Sequence, residues 1–288
     1  MTAPVLGIIG GSGVYDLPGL EAPEWRVVES PWGEPSDAIL HAQFGGLELR
    51  FLPRHERGHR LSPSGINYRA NIDALKRAGV TDLYSVSAVG SLREDMAPGD
   101  FVFVDQYIDR TFARETSYFG NGCVAHVGFG HPVSPHLATH AQKAAVTCGI
   151  PHHMGGTLVV MEGPQFSTRA ESEGYRAMGA HLIGMTALPE AKLAREAELP
   201  YATIAMVTDY DCWHPDHDHV DVATVIATLK ANTANAQALI AEIARSFPRG
   251  VVPDAARVAL DGAIMTAPAK RDPVLVAKLG AVAGRVLG

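Results

Sequence analysis

The segment Tyr201-Ala202-Thr203-Ile204-Ala205-Met206-Val207 carries no charge and leads straight into Thr208-Asp209-Tyr210-Asp211. An apolar run of this kind, bounded by polar residues, reads as a buried strand. Two carboxylates therefore arrive where a strand leaves the core. In open α/β sheets ligands bind outside the carboxyl ends of strands. Asp209 and Asp211 can then be tuned apart, one to hold a proton and one to accept a hydrogen bond. Asp is also common where strands simply stop, so the rest of the chain must decide between a site and a solvated turn.

The strand-then-loop pattern recurs along the chain. Val5–Ile9 ends in Gly10-Gly11-Ser12-Gly13, and Leu47–Leu52 ends in Pro53-Arg54-His55. Asp82–Val89, Phe101–Ile108, Thr157–Met161 and Leu182–Met185 have the same strand character. Between them lie stretches of helical spacing: Ile66–Ala78 stopped by Gly79, and Ser134–Cys148 with Pro135 in its first turn. Thr168–Met178, Pro189–Ala197 and the long amphipathic Val222–Ser246 follow. Strands alternating with helices predict an α/β class, one domain over residues 1–248 with a largely parallel or mixed central sheet flanked by helices. Residues 249–288 differ in character, being Ala/Val-rich and broken by Pro253, Pro268 and Pro273. They are expected to form a helical extension packed on the same domain or on a neighbouring subunit.

Charge and composition narrow the function classes. A formal charge of −7 and a pI near 6.0 argue against a general nucleic-acid binder. No apolar stretch reaches membrane-spanning length, and the start Met1–Gly7 lacks a basic n-region. Cys123, Cys148 and Cys212 show no metal-type spacing and suit a reducing compartment. The expectation is a soluble cytoplasmic protein with no nucleic-acid or membrane partner.

Each strand end offers particular chemistry. Gly10–Gly13 lets backbone N–H groups approach an anion, with the Ser12 hydroxyl as a further donor. It is neither a Walker loop nor a dinucleotide fingerprint, since no Gly-Lys-Ser/Thr follows and Asp16 occupies the third glycine position. Arg54 and His55 open a cationic stretch suited to phosphate. Ser87–Leu92 places small residues at a strand end, and Glu162–Phe166 sets a carboxylate, a turn and an aromatic wall side by side. The run His214–His219 alternates through a Pro-interrupted stretch rather than lying one helical turn apart, so an exposed loop is favoured over a metal site. Cys212 is a packed thiol on the same weighing.

A phosphate-binding half beside a flat-base half suggests cleavage of an N-glycosidic bond by phosphate. The motifs Gly10–Gly13, Arg54-His55, Asn67–Ile72, Gly90–Glu94, Asp105–Thr111, Glu162–Ser167, Met185-Thr186 and Met206–Trp213, in that order, resemble the methylthioadenosine phosphorylase branch of the trimeric purine nucleoside phosphorylase family. The resemblance runs over roughly Val5–Ser246 and leaves the C-terminal tail unmatched. It implies the nucleoside phosphorylase fold, a homotrimer, no cofactor or metal, and inorganic phosphate as co-substrate. Residue by residue it implies Ser12, Arg54, His55, Ala88 (through its backbone) and Thr186 for phosphate. Phe166, Met185, Asp209 and Asp211 match the base and ribose site, Asp209 as proton carrier and Asp211 as reader of a 6-amino group. Val222 and Val225 match a 5′-methylthio pocket, with His126 reaching it from the adjacent subunit. Ser12 stands where some relatives carry Thr, and Gly184 where some carry Asn.

The activity so implied is phosphorolysis of 5′-methylthioadenosine to adenine and 5-methylthioribose 1-phosphate. The rivals are a 6-oxopurine nucleoside or methylthioinosine phosphorylase, a nucleosidase using water, and a non-catalytic nucleoside-binding protein.

Overall fold

In a computed structural model the chain is described over residues 3–11, 13–215 and 222–288, without the side chains of 222–225. Ser12, the side chains of Val222 and Val225, and Asp216–His219 of the His-rich run thus lie outside the described residues. The strands are β1 Val5–Gly10, β2 Glu21–Arg26, β3 Ile39–Phe44, β4 Leu47–Pro53, β5 Asp82–Ser91, β6 Phe101–Phe103, β7 Gln106–Arg110, β8 His152–Met154, β9 Thr157–Met161, β10 Leu182–Gly184 and β11 Tyr201–Asp209. The helices are α1 Tyr68–Arg77, α2 Pro135–Cys148, α3 Arg169–Ala177, α4 Ala187–Glu196, α5 Val222–Ser246, α6 Pro273–Lys278 and α7 Gly280–Leu287.

One mixed sheet collects these strands in the order β2-β3-β4-β1-β5-β10-β9-β7, with β11 branching from β5 and followed by β6 and then β8. β5 is the trunk. It pairs in parallel with β1 over Asp82–Ser85 and with β11 from Leu83 onward, then antiparallel with β10 at Gly90 and Ser91. Helices cover both faces. Leu137, Ala141 and Ala145 of α2 join Leu239, Ile240 and Ile243 of α5 against Ile8, Tyr84 and Ile204. On the other face Ile72 and Leu75 of α1 join Ala191 and Leu193 of α4 against Ile9, Leu83 and Val207. Burial of these side chains, at about 25 cal/mol per Å² of apolar surface, is the dominant favourable term.

Local signals account for the helix ends. Asn67 and Ser134 cap α1 and α2 through their side chains, and Gly149 closes α2. Thr168 and Glu171 form a reciprocal capping box on α3. The expected strand Phe101–Ile108 is two strands, β6 and β7, broken at Val104-Asp105, where the Asp105 carboxylate takes Gly156 N–H at 3.0 Å. β7 thereby leaves β11 and pairs with β9. Among the described residues no helix is long and apolar enough to cross a membrane.

The C-terminal extension packs on its own chain. α7 lies on α1, Met265 N–H reaches Val124 O at 2.8 Å, and Arg257 bonds Asp82 at 2.7 Å. Asp254 holds His136 Nδ1 at 3.1 Å while Asp82 holds Nε2 at 3.2 Å. Burial opposes charge on His136, but the hydrogen bonds to Asp254 and Asp82 outweigh it and lift the pKa to about 9. A folded-state pKa above the ordinary 6.5 means this stabilisation is complete below about pH 6.5 and lost as pH rises through about 9. For a half-buried group it is on the order of 2 kcal/mol. We expect His136→Gln to be less stable than the parent in neutral urea titrations and to converge with it by the alkaline end of that window.

Candidate active site

Register brings the strand ends together. β10 runs antiparallel to β5 with Ile183 opposite Gly90, so continuing three residues sets Thr186 beside Ser87. Their hydroxyls lie 3.3 Å apart. Met185 correspondingly falls near Ala88, the one exposed residue of β5. β4 delivers Arg54 and His55 at the same edge, where Arg54 N–H bonds Gly10 O at 2.9 Å. β11 ends in Asp209, which pairs with Gly90 across a bulge. A Cβ on Gly90 would lie 2.9 Å from Asp209 Oδ1 and 3.0 Å from Ile183, so only glycine fits there. Three residue steps along β5 separate Ser87 from Gly90, about 10 Å. A sugar can bridge an anion at one end and a base at the other.

At the anion end the structure changes the role of Arg54. Its side chain is 2% exposed, and its N–H groups bond Glu190 through Nε and Nη2, Val86 O and Ser87 Oγ through Nη1, and Ile9 O and Ser85 Oγ through Nη2. The expected free fork for phosphate is absent because the guanidinium is pulled inward by the fully buried Glu190 carboxylate. With its charge balanced by Glu190, Arg54 contributes its hold on Ser87. His55 also differs from expectation. Its Nδ1–H donates to Leu61 O at 2.9 Å, and burial holds its pKa down to about 4. At neutral pH the ring is uncharged, so Nε2 is an acceptor rather than a donor. Thr186 is 8% exposed and stands at the start of α4 without capping it, leaving its hydroxyl for Ser87 or an anion.

At the base end Asp209 Oδ2 lies 2.7 Å from the Thr208 hydroxyl, and Oδ1 accepts Asp211 N–H at 2.8 Å. Burial raises its pKa, and the hydrogen bond from Asp211 N–H only partly offsets the rise. Asp211 is raised by burial first, with Asp209 adding repulsion. It adopts φ 52°, and its Oδ2 is buried without a hydrogen-bond partner. The Ser172 hydroxyl faces it without reaching hydrogen-bond geometry. The turn beyond is pinned by Trp213, whose Nε1 donates to Ser91 O and whose ring carries Arg176 at 3.6 Å. Cys212 Sγ approaches Ser167 O at 3.3 Å, and His214 pairs with Glu94 and stacks on Tyr210.

Phe166 is 43% exposed just before α3 and is free to form a wall. Met185 lies against Gly163, where a Cβ would come within 2.5 Å of its sulfur. Glu162 is spent on the Ser64 hydroxyl, Phe112 N–H and Arg114, as the turn reading anticipates. His126 is exposed on the segment bonded to Ala263, and among the described residues no hydrogen bond or ion pair joins its side chain to these strand ends.

Two organising residues escape the sequence reading. Arg114 donates to Met185 O, Leu188 O and Glu162 O, tying the Met185-Thr186 turn to the Glu162-Gly163 turn. It sits in a loop with no periodic signal. Glu190 had a signal: it is the only acid among Ala187, Leu188, Ala191, Leu193 and Ala194, and an acid on an apolar helical face needs a buried partner.

Anion donors held a sugar's width from a largely buried, protonatable carboxyl define the class: an enzyme that transfers a glycosyl group between a base and an anion. The comparisons agree. Residues 5–245 match the phosphorylase superfamily model, and the chain belongs to that family. It is 61% identical over 289 residues to an S-methyl-5′-thioadenosine phosphorylase of Bradyrhizobium diazoefficiens, covering 100% of this chain and 99% of that one. A protein of the same description from Rhodospirillum rubrum is 59% identical over 290 residues, covering 99% and 98%. Among solved structures, a methylthioadenosine phosphorylase from an Antarctic soil metagenomic library superposes with a TM-score of 0.93 at 44% identity, covering 98% of this chain and 99% of that one. The Schistosoma mansoni enzyme in complex with adenine gives 0.79 at 37%, covering 83% and 90%. The first three alignments run through the tail, so the expectation that it lacks counterparts is corrected.

Removing one partner of the Arg54–Glu190 pair leaves a buried charge uncompensated, a cost of about 3–5 kcal/mol. We expect Glu190→Gln to lower unfolding free energy by that order in urea titrations, and to raise the KM for phosphate more than that for the nucleoside.

Proposed function

We propose that the protein catalyses phosphorolysis of 5′-methylthioadenosine, giving adenine and 5-methylthioribose 1-phosphate. The observation that carries this reading is Asp209: a largely buried carboxyl with a raised pKa, about 10 Å along β5 from the Ser87–Thr186 hydroxyl pair. In this reading phosphate is held by Ser12, Ser87, Thr186 and the backbone at Ala88, with Arg54 fixing Ser87 from behind. Monohydrogen phosphate turns its own O–H to the His55 Nε2 lone pair. The base lies between Phe166 and Met185, and Asp209 places its proton on purine N7. The N-glycosidic bond breaks with its electron pair leaving on the base. A phosphate oxygen then bonds C1′ of the oxocarbenium-like sugar, and the proton lost by phosphate balances the one gained by adenine.

Asp211, with an unspent acceptor, reads the 6-amino group. A 6-oxo base presents an acceptor there, a mismatch that a hydrogen-bonding site rejects by about 10⁴-fold or more. The resemblance assigns Val222 and Val225 to the 5′ end, where apolar side chains favour methylthio over hydroxyl modestly. The exposed apolar side chains of Phe112, Val124, Met265 and Val274, together with the outward His126, support assembly with further copies of the chain as a homotrimer in which His126 reaches a neighbour's 5′ pocket.

The test compares methylthioadenosine, methylthioinosine and inosine, each with and without phosphate. We expect methylthioadenosine to be cleaved fastest and only with phosphate; faster cleavage of inosine, or turnover undiminished without phosphate, sinks the reading. Asp209→Asn should lower kcat by about 10²–10⁴-fold while sparing nucleoside binding. Because the working form is protonated, kcat should fall as pH rises through the elevated pKa of Asp209.

A further inference from the structure

The hydroxyl next to the proposed proton donor is within reach of two acceptors and has one proton. Thr208 Oγ1 lies 2.7 Å from Asp209 Oδ2 and 3.2 Å from Val89 O, and the residue is 2% exposed. A carbonyl can only accept, and a hydroxyl donates once. Both contacts are full hydrogen bonds together only when Asp209 supplies the second proton. We propose that Thr208 is a positioning residue that keeps Asp209 in its acid form: the carboxylic acid donates to Thr208 Oγ1, and Thr208 donates onward to Val89 O. This goes beyond the functional reading in naming the group that holds the proton, and it rests on that reading for its catalytic meaning.

The backbone makes the arrangement local and fixed. Val207 pairs with Val89 and Asp209 with Gly90, so Thr208 is the residue the ladder skips. Its hydroxyl is thereby set over both Val89 O and its neighbour's carboxyl. The other oxygen, Oδ1, is held by Asp211 N–H and packed against Gly90. Charged neighbours do not decide the ionisation. From its own turn Asp209 meets Asp211, behind which lie Glu171 and Tyr175 of α3. β5 and β10 present Val89, Gly90 and Ile183, and α5 presents the neutral Asn232, which bonds Val207 O. Among the described residues no cation makes an ion pair or hydrogen bond with Asp209. Burial disfavours its anion, and the relay gives the acid an acceptor.

The two possible polarities of the Thr208 contact predict shifts of opposite sign. If the hydroxyl accepts, removing it destabilises the acid and the Asp209 midpoint falls. If it only donates, removing it destabilises the anion and the midpoint rises. The measurement is the carboxylic C=O stretch of Asp209 in the enzyme without substrate, isolated by subtracting the Asp209→Asn spectrum and followed against pH. Thr208→Val should lower the proton affinity about tenfold, the scale of one hydrogen bond, while Thr208→Ser stays near the parent. Thr208→Ala carries the same expectation should the valine variant not fold. A midpoint that rises or stays put overturns the proposal. A midpoint that falls while the alkaline limb of kcat does not follow supports the Thr208 contact and counts against Asp209 as the proton donor in phosphorolysis.

Discussion

The buried Arg54–Glu190 ion pair is the contact on which the site end of this sheet depends. Arg54 leaves β4 and bonds β1 at Ile9 O and β5 at Ser85, Val86 O and Ser87, while Glu190 brings in α4 and takes Tyr201 O–H of β11. Four strands and a helix therefore meet on one guanidinium and one carboxylate. Taking both charges out of water costs several kcal/mol each, and the cost is offset only by near-ideal geometry with every remaining donor satisfied. Here the pair is bidentate, at 2.8 and 3.0 Å, and each remaining Arg54 contact ends on an oxygen. Neither residue can be moved without leaving the other stranded. That rigidity fixes where α4 begins, and hence where Thr186 meets Ser87.

A consequence is that the anion end is built from dipoles rather than from free cations. Arg54 is neutralised by Glu190, His55 is uncharged at neutral pH, and the remaining groups are hydroxyls and backbone N–H. Such a lining suits a phosphate that must attack as well as bind. A tight salt bridge stabilises the bound ground state, whereas fixed dipoles aimed at developing charge stabilise the transition state without that penalty. The base end follows the same economy of charge, with a carboxyl whose anion is disfavoured by burial rather than by a like-charged cluster.

Much of this was legible in the residues. Thr157–Met161 and Val222–Ser246 take the bounds their patterns predict, because one is a short β-branched run and the other a sustained 3.6-residue period. β2 was not legible: Glu21–Arg26 is almost wholly exposed and contains Pro23, which only an edge strand tolerates. Its pairing with β3 is a tertiary choice with little local signature. For the site, strand-end position marked Arg54, His55, Thr186 and Asp209, and the structure gathers these four at one end of the sheet. What failed was direction. Sequence shows that an arginine stands at a strand end, but whether it points out to a ligand or in to a buried acid depends on Glu190, 136 residues away.

The same limit separates the two aspartates. By type and spacing Asp209 and Asp211 are interchangeable, and both have raised pKa values from burial. Backbone geometry makes them unequal. The bulge at Thr208 leaves Asp209 in the strand with both oxygens engaged by its own turn, one by a hydroxyl and one by an N–H. Asp211, one turn later at φ 52°, has lost the ladder and keeps an oxygen with no partner. A carboxyl with filled contacts and a disfavoured anion is suited to carrying a proton. One with an empty acceptor is suited to reading a donor. The difference in setting between the two acids of Asp-x-Asp therefore comes from the one extra residue that the ladder of β11 and β5 skips.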